Sequence, residues 1–500
     1  MSELNRRFFL KQSAVAGGLL ALPQLANARV APQDQVNLGF IGLGGRGGRL
    51  LKEFSALPGV NVAGLCDPDS ELCDKHSAAF PEASTCADLR QLLDDLDVDA
   101  VVITACNHWH CLAALWAMEA GKHVYVEKPL CNAHWEGQQV VKATNKYGKV
   151  CQIGTQQRTA EMQAEIKRLL HDEQVLGPPQ WVRVNRFGVR QSIGKRQDPL
   201  SIPSNIDYDL WLGPANDQPI YRDRLHYDWH WDWNTGGGEM GNWGVHILDD
   251  VRNNVFQDRI AFPKRVVAAG GRYGWHDAGN TPNTHFALLD TGDIPVVITL
   301  TNLPAELNGD QPPACPGPSS GYVVYCDGGR VEGQRGHARL VDADGKLIKE
   351  IPGNDGMGEH QQNFVDAIRN DSPSALNAPV EMGHHSTAWC NLANYSYRVA
   401  QEQPHADSDS WTDILQQMPL HGVRPAQIES LCDELNQIAN LHEPEAASIR
   451  LLQGPVLQFD ASSETFMGDH ADVANQHLRT AGRGKFVVKE VKAPTSTIAS

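Results

Sequence analysis

Residues 36–47 read Val36-Asn37-Leu38-Gly39-Phe40-Ile41-Gly42-Leu43-Gly44-Gly45-Arg46-Gly47. A short apolar strand runs straight into a glycine loop, and helical sequence begins near Gly48. A second strand, Val60–Leu65, ends at Cys66-Asp67, which puts an acidic residue 20 positions after Gly47. Strand, Gly-x-Gly-x-x-Gly, helix, and an acid at the end of the next strand form the dinucleotide fingerprint. Gly42 allows the tight turn, Gly44 lets backbone approach a pyrophosphate, and Gly47 lets helix and strand pack closely. The helix N-terminus offers N–H groups to phosphate charge. Asp67 would accept from the adenosine ribose hydroxyls and repel a 2′-phosphate, which favours NAD. NADP remains the alternative, with Arg46 or a later residue accommodating the phosphate.

Working outward, the same rhythm continues. Leu89–Leu96 reads as helix, Ala100–Ile103 as strand, Leu112–Ala120 as helix and His123–Val126 as strand. Alternating strands and helices predict an α/β fold, a parallel doubly wound Rossmann sheet. Glu127-Lys128-Pro129 follows the last of these strands, at the sheet edge where open α/β sheets bind ligands. Past residue 150 the texture changes. Trp181–Phe187, Arg265–Ala269 and Val296–Thr301 read as strands without regular intervening helices. They predict an α+β domain with a large, mostly antiparallel open sheet. Residues 304–320 hold five prolines and read as a surface loop, while Gln361–Arg369, Thr387–Ala400 and Pro425–Ala439 read as helices. The expected division is a leader at 1–28, a dinucleotide-binding domain at 29–150, a substrate and oligomerisation domain at 151–490, and a disordered tail at 491–500.

Composition narrows the function. The 500 residues carry 43 Lys and Arg against 60 Asp and Glu, a net charge of −17. That balance repels phosphate backbones and excludes a nucleic-acid partner. The 11 cysteines are odd in number and contain no Cys-x-x-Cys spacing. They read as buried thiols of a chain folded under reducing conditions, and no metal site is predicted. At the N-terminus, Arg6-Arg7 precede Phe8-Phe9-Leu10-Lys11, then an apolar run from Ala14 to Ala26 and the small-x-small sequence Ala26-Asn27-Ala28. This resembles a twin-arginine export signal, with Asn5 where Ser or Thr is usual. The apolar run is too short for a membrane anchor. The expectation is a periplasmic or otherwise exported protein, handed to the twin-arginine machinery already folded around its cofactor.

Taken together, these pieces resemble the Gfo/Idh/MocA oxidoreductase family. The resemblance rests on the glycine loop, Asp67, Asn107-His108-Trp109-His110, Glu127-Lys128-Pro129, Gly154-Thr155-Gln156-Gln157-Arg158, and Gly236-Gly237-Gly238 leading to His246. Asp460, Phe466, Gly468 and Asp469 are similar to the C-terminal pattern of its exported members. The resemblance implies a Rossmann domain, a second domain whose open sheet makes a homo-oligomer, and hydride transfer between NAD(P) and a carbohydrate hydroxyl. It implies that Lys128 and His246 are catalytic, the lysine stabilising an alkoxide-like oxygen and the histidine acting as general acid/base. It further implies cofactor contacts from Gly42, Gly44, Arg46, Gly47, Asp67, Asn107, His110, Glu127, Lys128 and Gln156. Arg158, Trp231, Asn242 and Asp249 are the candidate substrate contacts, with Asp249 as a partner orienting His246. Two departures stand out. Asn242 occupies the position four before the histidine where the family often has Asp, and Cys106 replaces a proline before Asn107.

Leu225-His226-Tyr227-Asp228-Trp229-His230-Trp231-Asp232-Trp233 alternates rings with Asp and His. In an extended chain the rings share one face, either to stack on sugar C–H surfaces or to join the core. Three functions compete. The first is an NAD(P)-dependent oxidoreductase acting on a CH–OH group of a sugar, glycoside or cyclitol with tightly held cofactor. The second is a glycoside hydrolase of the same family, working by transient oxidation and elimination; that branch has a glycine-proline motif where this chain has Gly236-Gly237-Gly238-Glu239-Met240-Gly241. The third is a non-catalytic carbohydrate-binding protein, for which Asn242 is the main support.

Overall fold

The computed structural model describes residues 35–403, 410–445 and 449–492. The expected leader at 1–28 lies outside the described residues, as do residues 493–500 of the expected tail. Among the described residues, no helix is long and apolar enough to cross a membrane.

The first sheet comprises β1 (Val36–Ile41), β2 (Val60–Cys66), β3 (Ser84–Cys86), β4 (Ala100–Ile103), β5 (His123–Val126) and β6 (Cys151–Ile153). All pairings are parallel and the spatial order is β3-β2-β1-β4-β5-β6. The order reverses at β1, so a crevice opens beyond the carboxyl ends of β1 and β4. Its helices are α1 (Gly45–Ser55), α2 (Ser70–Ser77), α3 (Leu89–Asp94), α4 (His110–Glu119) and α5 (His134–Tyr147). Central strands such as Ala100–Ile103 are buried on both faces, which explains their unbroken apolar runs.

After this domain come α6 (Glu161–Lys167), α7 (Tyr208–Leu212), α8 (Val245–Asn254), α9 (Glu359–Arg369), α10 (Val380–Glu402), α11 (Trp411–Gln417), α12 (Pro425–His442) and α13 (Ala471–Gln476). The boundary expected at residue 150 is not where the sheets divide. β6 belongs to the first sheet, and α9 returns to pack on it. Phe364 of α9 meets Phe54 of α1 and Tyr125 of β5 edge-on, with centroids 6.1 and 5.8 Å apart. Each such buried aromatic stabilises the fold by roughly 1.5–3 kcal/mol. Phe486, near the chain end, packs on Trp109 of the opposite face. The first domain is therefore completed by segments far along the chain.

The second sheet has eleven strands: β7 (Pro179–Phe187), β8 (Arg265–Gly271), β9 (Thr284–Asp290), β10 (Val296–Thr301), β11 (Ser320–Cys326), β12 (Gly329–Gln334), β13 (His337–Asp342), β14 (Leu347–Pro352), β15 (Leu452–Gln453), β16 (Leu457–Asp460) and β17 (Thr465–Met467). It is antiparallel apart from the β7–β10 pairing. Alternation along β7 sends Val182 and Val184 toward α8 and α10, and Trp181 and Phe187 to the other face. The sheet is open as expected, with strands at both edges, but that other face is covered. Ile414 of α11 and Ile428, Leu431 and Leu435 of α12 cover it, packing on Trp181, Phe286, Leu288 and Val297. Arg183 of β7, buried on that face, pairs with Glu434 of α12 at 3.0 Å.

Candidate active site

A cavity of about 500 Å³ follows the crevice from the glycine loop to Lys128. Gly42 has φ +88°, and a Cβ there would strike the Ala105 nitrogen at 2.6 Å. At Gly47 a Cβ would lie 2.0 Å from the Gly42 carbonyl oxygen, so only glycine lets α1 sit this close to β1. Gly44 has no atom within 4 Å of that position and faces the cavity. The first glycine makes the turn, the last makes the packing, and the middle one leaves room for a ligand. Gly44 also caps α1 without placing a side chain over its N–H groups.

Asp67 lines the cavity and does more than the sequence suggested. Its Oδ2 accepts from Leu43 N at 2.7 Å and its Oδ1 from Asp69 N at 2.9 Å, so it also ties the glycine loop to the end of β2. Burial raises its pKa. Each oxygen keeps a lone pair for a ribose hydroxyl. Arg46 turns away from Asp67 to Glu127, its Nε 2.8 Å from Oε1. Asn107 also lines the cavity, and its buried Nδ2 has no partner among the described residues. An unfilled cradle at Gly44, an orphaned amide at Asn107 and a carboxylate at Asp67 fit a dinucleotide. His110 corrects the sequence reading. It borders the cavity, but its ring is spent between the Pro129 and Ala105 carbonyls at 2.7 and 2.9 Å. Gln156 lies outside the cavity wall, its amide set between the Gly154 carbonyl and Arg335.

At the inner end stands Lys128, before a cis bond to Pro129. Residues Met240–Gly244 form a π-helical turn ahead of α8, and such turns leave carbonyls free of helical donors. The Asn242 carbonyl accepts from Lys128 Nζ at 2.7 Å, with Asn242 Oδ1 at 3.4 Å. Burial pulls the Lys128 pKa down to about 8, against the attraction of Glu127. Burial would raise the Glu127 pKa, but Arg46 and Lys128 hold it below the usual carboxylate range. The carboxylate missing at position 242 is supplied nearby. Glu239 is fully buried and accepts from Asn242 Nδ2 at 3.3 Å, from Arg186 at 2.8 Å and from Arg190 at 2.9 Å.

His246 opens α8 within the field of the same cations. Burial, then Lys128, Arg335, Arg46 and Arg186, push its pKa well below the ordinary value, so the imidazole is neutral at pH 7. Its ring meets Trp243 edge-on at 5.9 Å. The Arg186 and Arg335 guanidiniums stand 4.5 and 4.9 Å from the Trp243 ring centre. Arg186, Glu239, Trp243 and Arg335 were missed in the sequence reading. Arg335 lies in the β12–β13 turn, held by Gln157 Oε1 at 3.1 Å. Only the adjacency of Glu239 and Trp243 to the glycine run could have flagged them.

Three substrate expectations are corrected. Asp249 accepts from Arg158 Nε at 2.8 Å and from Ser386 Oγ at 2.6 Å, so it is engaged by these partners rather than orienting His246. Arg158, its side chain 3% exposed, bridges Asp249 to Asp258 and never reaches the cavity. The pair anchors α8 against the Gln156–Thr159 turn. The aromatic stretch is not extended either. Tyr227 has φ +66° and Asp228–Trp231 is a 3₁₀ turn, which breaks the alternation. Tyr227, Trp229 and His230 line the cavity, whereas Trp231 is buried beneath Arg190. Asp228 and Asp232 are spent on Arg224 and Arg222. This segment meets the crevice rim through His226 Nε2, 3.1 Å from Asp69 Oδ2, and the chain before it is tied down where Ser70 N donates to Asn205 O at 2.9 Å and Trp109 Nε1 to Leu210 O at 3.0 Å.

Comparison with known proteins agrees with this fold. Residues 36–155 match the Gfo/Idh/MocA oxidoreductase family in its NAD-binding Rossmann fold, and residues 161–275 match its C-terminal alpha/beta domain. The chain is 32% identical over 178 residues to a glycosyl hydrolase family 109 protein of Shewanella pealeana, covering 30% of this chain and 39% of that one. It is 32% identical over 181 residues to an alpha-N-acetylgalactosaminidase of Shewanella oneidensis, covering 31% of this chain. The match spans only 39% of the length of these relatives. Among solved structures, the WlbA dehydrogenase of Bordetella pertussis, in complex with NADH and UDP-GlcNAcA, shares the fold. Its TM-score is 0.53 at 18% identity, covering 74% of this chain and 97% of that one. A levoglucosan dehydrogenase in complex with NADH and levoglucosan gives a TM-score of 0.53 at 17% identity, covering 72% and 96%.

Proposed function

Since the chain belongs to the Gfo/Idh/MocA oxidoreductase family, we propose that it is an NAD-dependent oxidoreductase acting on a CH–OH group of a sugar, glycoside or cyclitol. The observation that carries this is a lysine on the wall of the nucleotide-shaped cavity, poised near pH 8, with a histidine held neutral in the field of its charge. Bound NAD would supply the hydride acceptor or donor. Lys128 Nζ would donate to the reacting oxygen and stabilise its negative charge. Neutral His246 would take the hydroxyl proton, and the surrounding cations would oppose a proton resting there, easing its release. Arg335 would hold a substrate hydroxyl or carboxylate, and the Tyr227–His230 wall would exclude water and stack on the ring. Arg46 facing Glu127 rather than Asp67 supports NAD over NADP.

The partial likeness to glycosyl hydrolase family 109 proteins favours a second reading. There the same groups would oxidise a glycoside, allow elimination and water addition, and reduce again with no net redox change. The proposal also includes twin-arginine export, residence outside the cytoplasm and assembly as a homo-oligomer. Mass spectrometry of small molecules released on denaturing protein purified without added nucleotide tests the central claim. Near-equimolar NAD supports it, whereas protein that is empty and binds no added nucleotide sinks it. Aglycone release from a nitrophenyl N-acetylgalactosaminide without net NADH would move the second reading to the front. A reporter fused to residues 1–28, in cells with and without twin-arginine translocase, tests export. Light scattering tests assembly.

A further inference from the structure

Away from the cavity, three side chains remote in sequence converge. His134 is the first residue of α5, His384 lies on α10, and Glu464 occupies the β16–β17 turn. His134 Nε2 stands 2.7 Å and His384 Nε2 2.8 Å from the same oxygen, Glu464 Oε2. The three ligand atoms all lie within 4.8 Å of one another. The histidine side chains are 1% and 3% exposed, and the carboxylate is 17% exposed. Phe262 and Phe459 close on His134 edge-on, each with centroids 5.5 Å away. None of these groups lines the cavity described above.

We propose that His134, His384 and Glu464 bind a divalent transition-metal cation, with Zn²⁺ as the best match. Two imidazoles and one carboxylate suit a borderline-soft ion, whereas Ca²⁺ and Mg²⁺ require oxygen ligands throughout. Bonds of about 2.0–2.2 Å to a tetrahedral ion separate ligand atoms by roughly 3.3–3.5 Å. The carboxylate must therefore retreat by about half an ångström, and its place in a partly exposed turn allows it. The fourth position opens on the exposed side of Glu464, for water. The Cys131 thiol lies beside His384 in the space that Gly137 leaves: a Cβ there would be 2.7 Å from His384 Nδ1 and 3.0 Å from Cys131 Sγ. The Nδ1 atoms of His384 and His134 have no hydrogen-bond partner among the described residues. Cys131 is three residues past Lys128, and Leu130 N donates to Thr387 Oγ1 of α10 at 3.0 Å. The ion would clamp α5, α10 and the β16–β17 hairpin together behind the catalytic lysine.

The test uses full-length, tag-free protein stripped with a chelator, reloaded with Zn²⁺ and desalted. Elemental analysis should find about one Zn²⁺ per chain, and the melting temperature should rise by several degrees. Reloading with Co²⁺ should give the visible absorption of a tetrahedral nitrogen and oxygen site. Glu464→Gln, at the least buried ligand, should weaken Zn²⁺ binding at least tenfold in competition with a chromogenic chelator, and His134→Gln should do the same. Retention of less than about a tenth of an equivalent by wild-type protein overturns the proposal. So does a folded Glu464→Gln protein that binds Zn²⁺ as wild type does. Neither outcome depends on turnover or on NAD.

Discussion

Replacing Lys128 with methionine should stabilise the fold while cutting turnover by about two to three orders of magnitude. The ammonium is taken from water into the cleft, and its pKa drops from 10.5 to about 8 because burial outweighs the attraction of Glu127. A drop of that size corresponds to at most about 3.5 kcal/mol of unfavourable charge burial at neutral pH. Two terms reduce the gain from removing it. The ammonium faces the cavity and keeps some hydration, and its 2.7 Å hydrogen bond to the Asn242 carbonyl is lost, worth about 1 kcal/mol. Glu127 is not orphaned, because Arg46 holds it at 2.7 Å. The net expectation is about 1–2 kcal/mol of added stability, or a rise of roughly 1–4 °C in melting temperature. The sign changes with pH in a defined way. Below about pH 8 the lysine is charged in both states and the full penalty stands. From about pH 8 to about pH 10.5 the folded lysine sheds its proton first, so wild type gains stability as pH rises and the gap to the variant closes. Turnover should fall by about 10²–10³. Calorimetric scans of both proteins at neutral pH and near pH 9.5 check this. A variant less stable than wild type at neutral pH, or a gap that ignores pH, would refute the reasoning.

The glycine loop offers a contrast: Gly44→Ala should leave melting unchanged but weaken NAD binding at least tenfold, whereas Gly47→Ala should lower the melting temperature because its Cβ would meet Gly42 O at 2.0 Å. Isothermal titration and melting curves on the pair decide it. Asp249→Asn should cost about 2–4 kcal/mol by leaving Arg158 with Asp258 alone, yet leave the pH profile of kcat/KM in place. An acidic limb displaced by that variant would restore Asp249 as the partner of His246. The His246 limb itself should fall well below pH 6.5, and Arg335→Gln should move it upward by removing a cation. A limb at the ordinary histidine pKa, or one indifferent to Arg335, contradicts the neutral-base reading.

What could be read from sequence follows from how local each feature is. Gly42, Gly44, Gly47, Asp67 and Lys128 sit in one strand–loop–helix unit or at a strand end, where the order of residues dictates the geometry. Strand alternation likewise exposed β7 and β10. Arg335 escaped because a hairpin turn between two unremarkable strands delivers it. α9 escaped as a Rossmann helix because its apolar stripe does not say which of two sheets it will meet. Arg158 and Asp249 were misjudged because a buried ion pair and an exposed binding pair look alike in composition. The stretch 225–233 alternates, but the left-handed turn at Tyr227 overrides the alternation, and no glycine marks the place. His134 and Glu464 are 330 residues apart and His384 and Glu464 are 80 apart, beyond any spacing rule.

Asn242 bears on whether the site works at all. Had the neutral residue simply deleted a charge, Lys128 would be balanced by Glu127 alone and the binding-protein reading would gain. The buried carboxylate of Glu239 answers this, one turn before Asn242 and bonded to its amide at 3.3 Å. Charge compensation has moved rather than vanished, and Arg186 and Arg190 keep Glu239 ionised against its burial. Around the reacting position, Arg46, Lys128, Arg186, Arg190 and Arg335 face the two acids Glu127 and Glu239. That excess of positive charge favours an oxyanion on the substrate and opposes a proton on His246. A pocket that only bound a neutral sugar would gain nothing from holding a lysine partly stripped of water beside a histidine denied its proton. The arrangement is costly to the fold and suits the proposed exchange of a proton and a hydride at a CH–OH carbon.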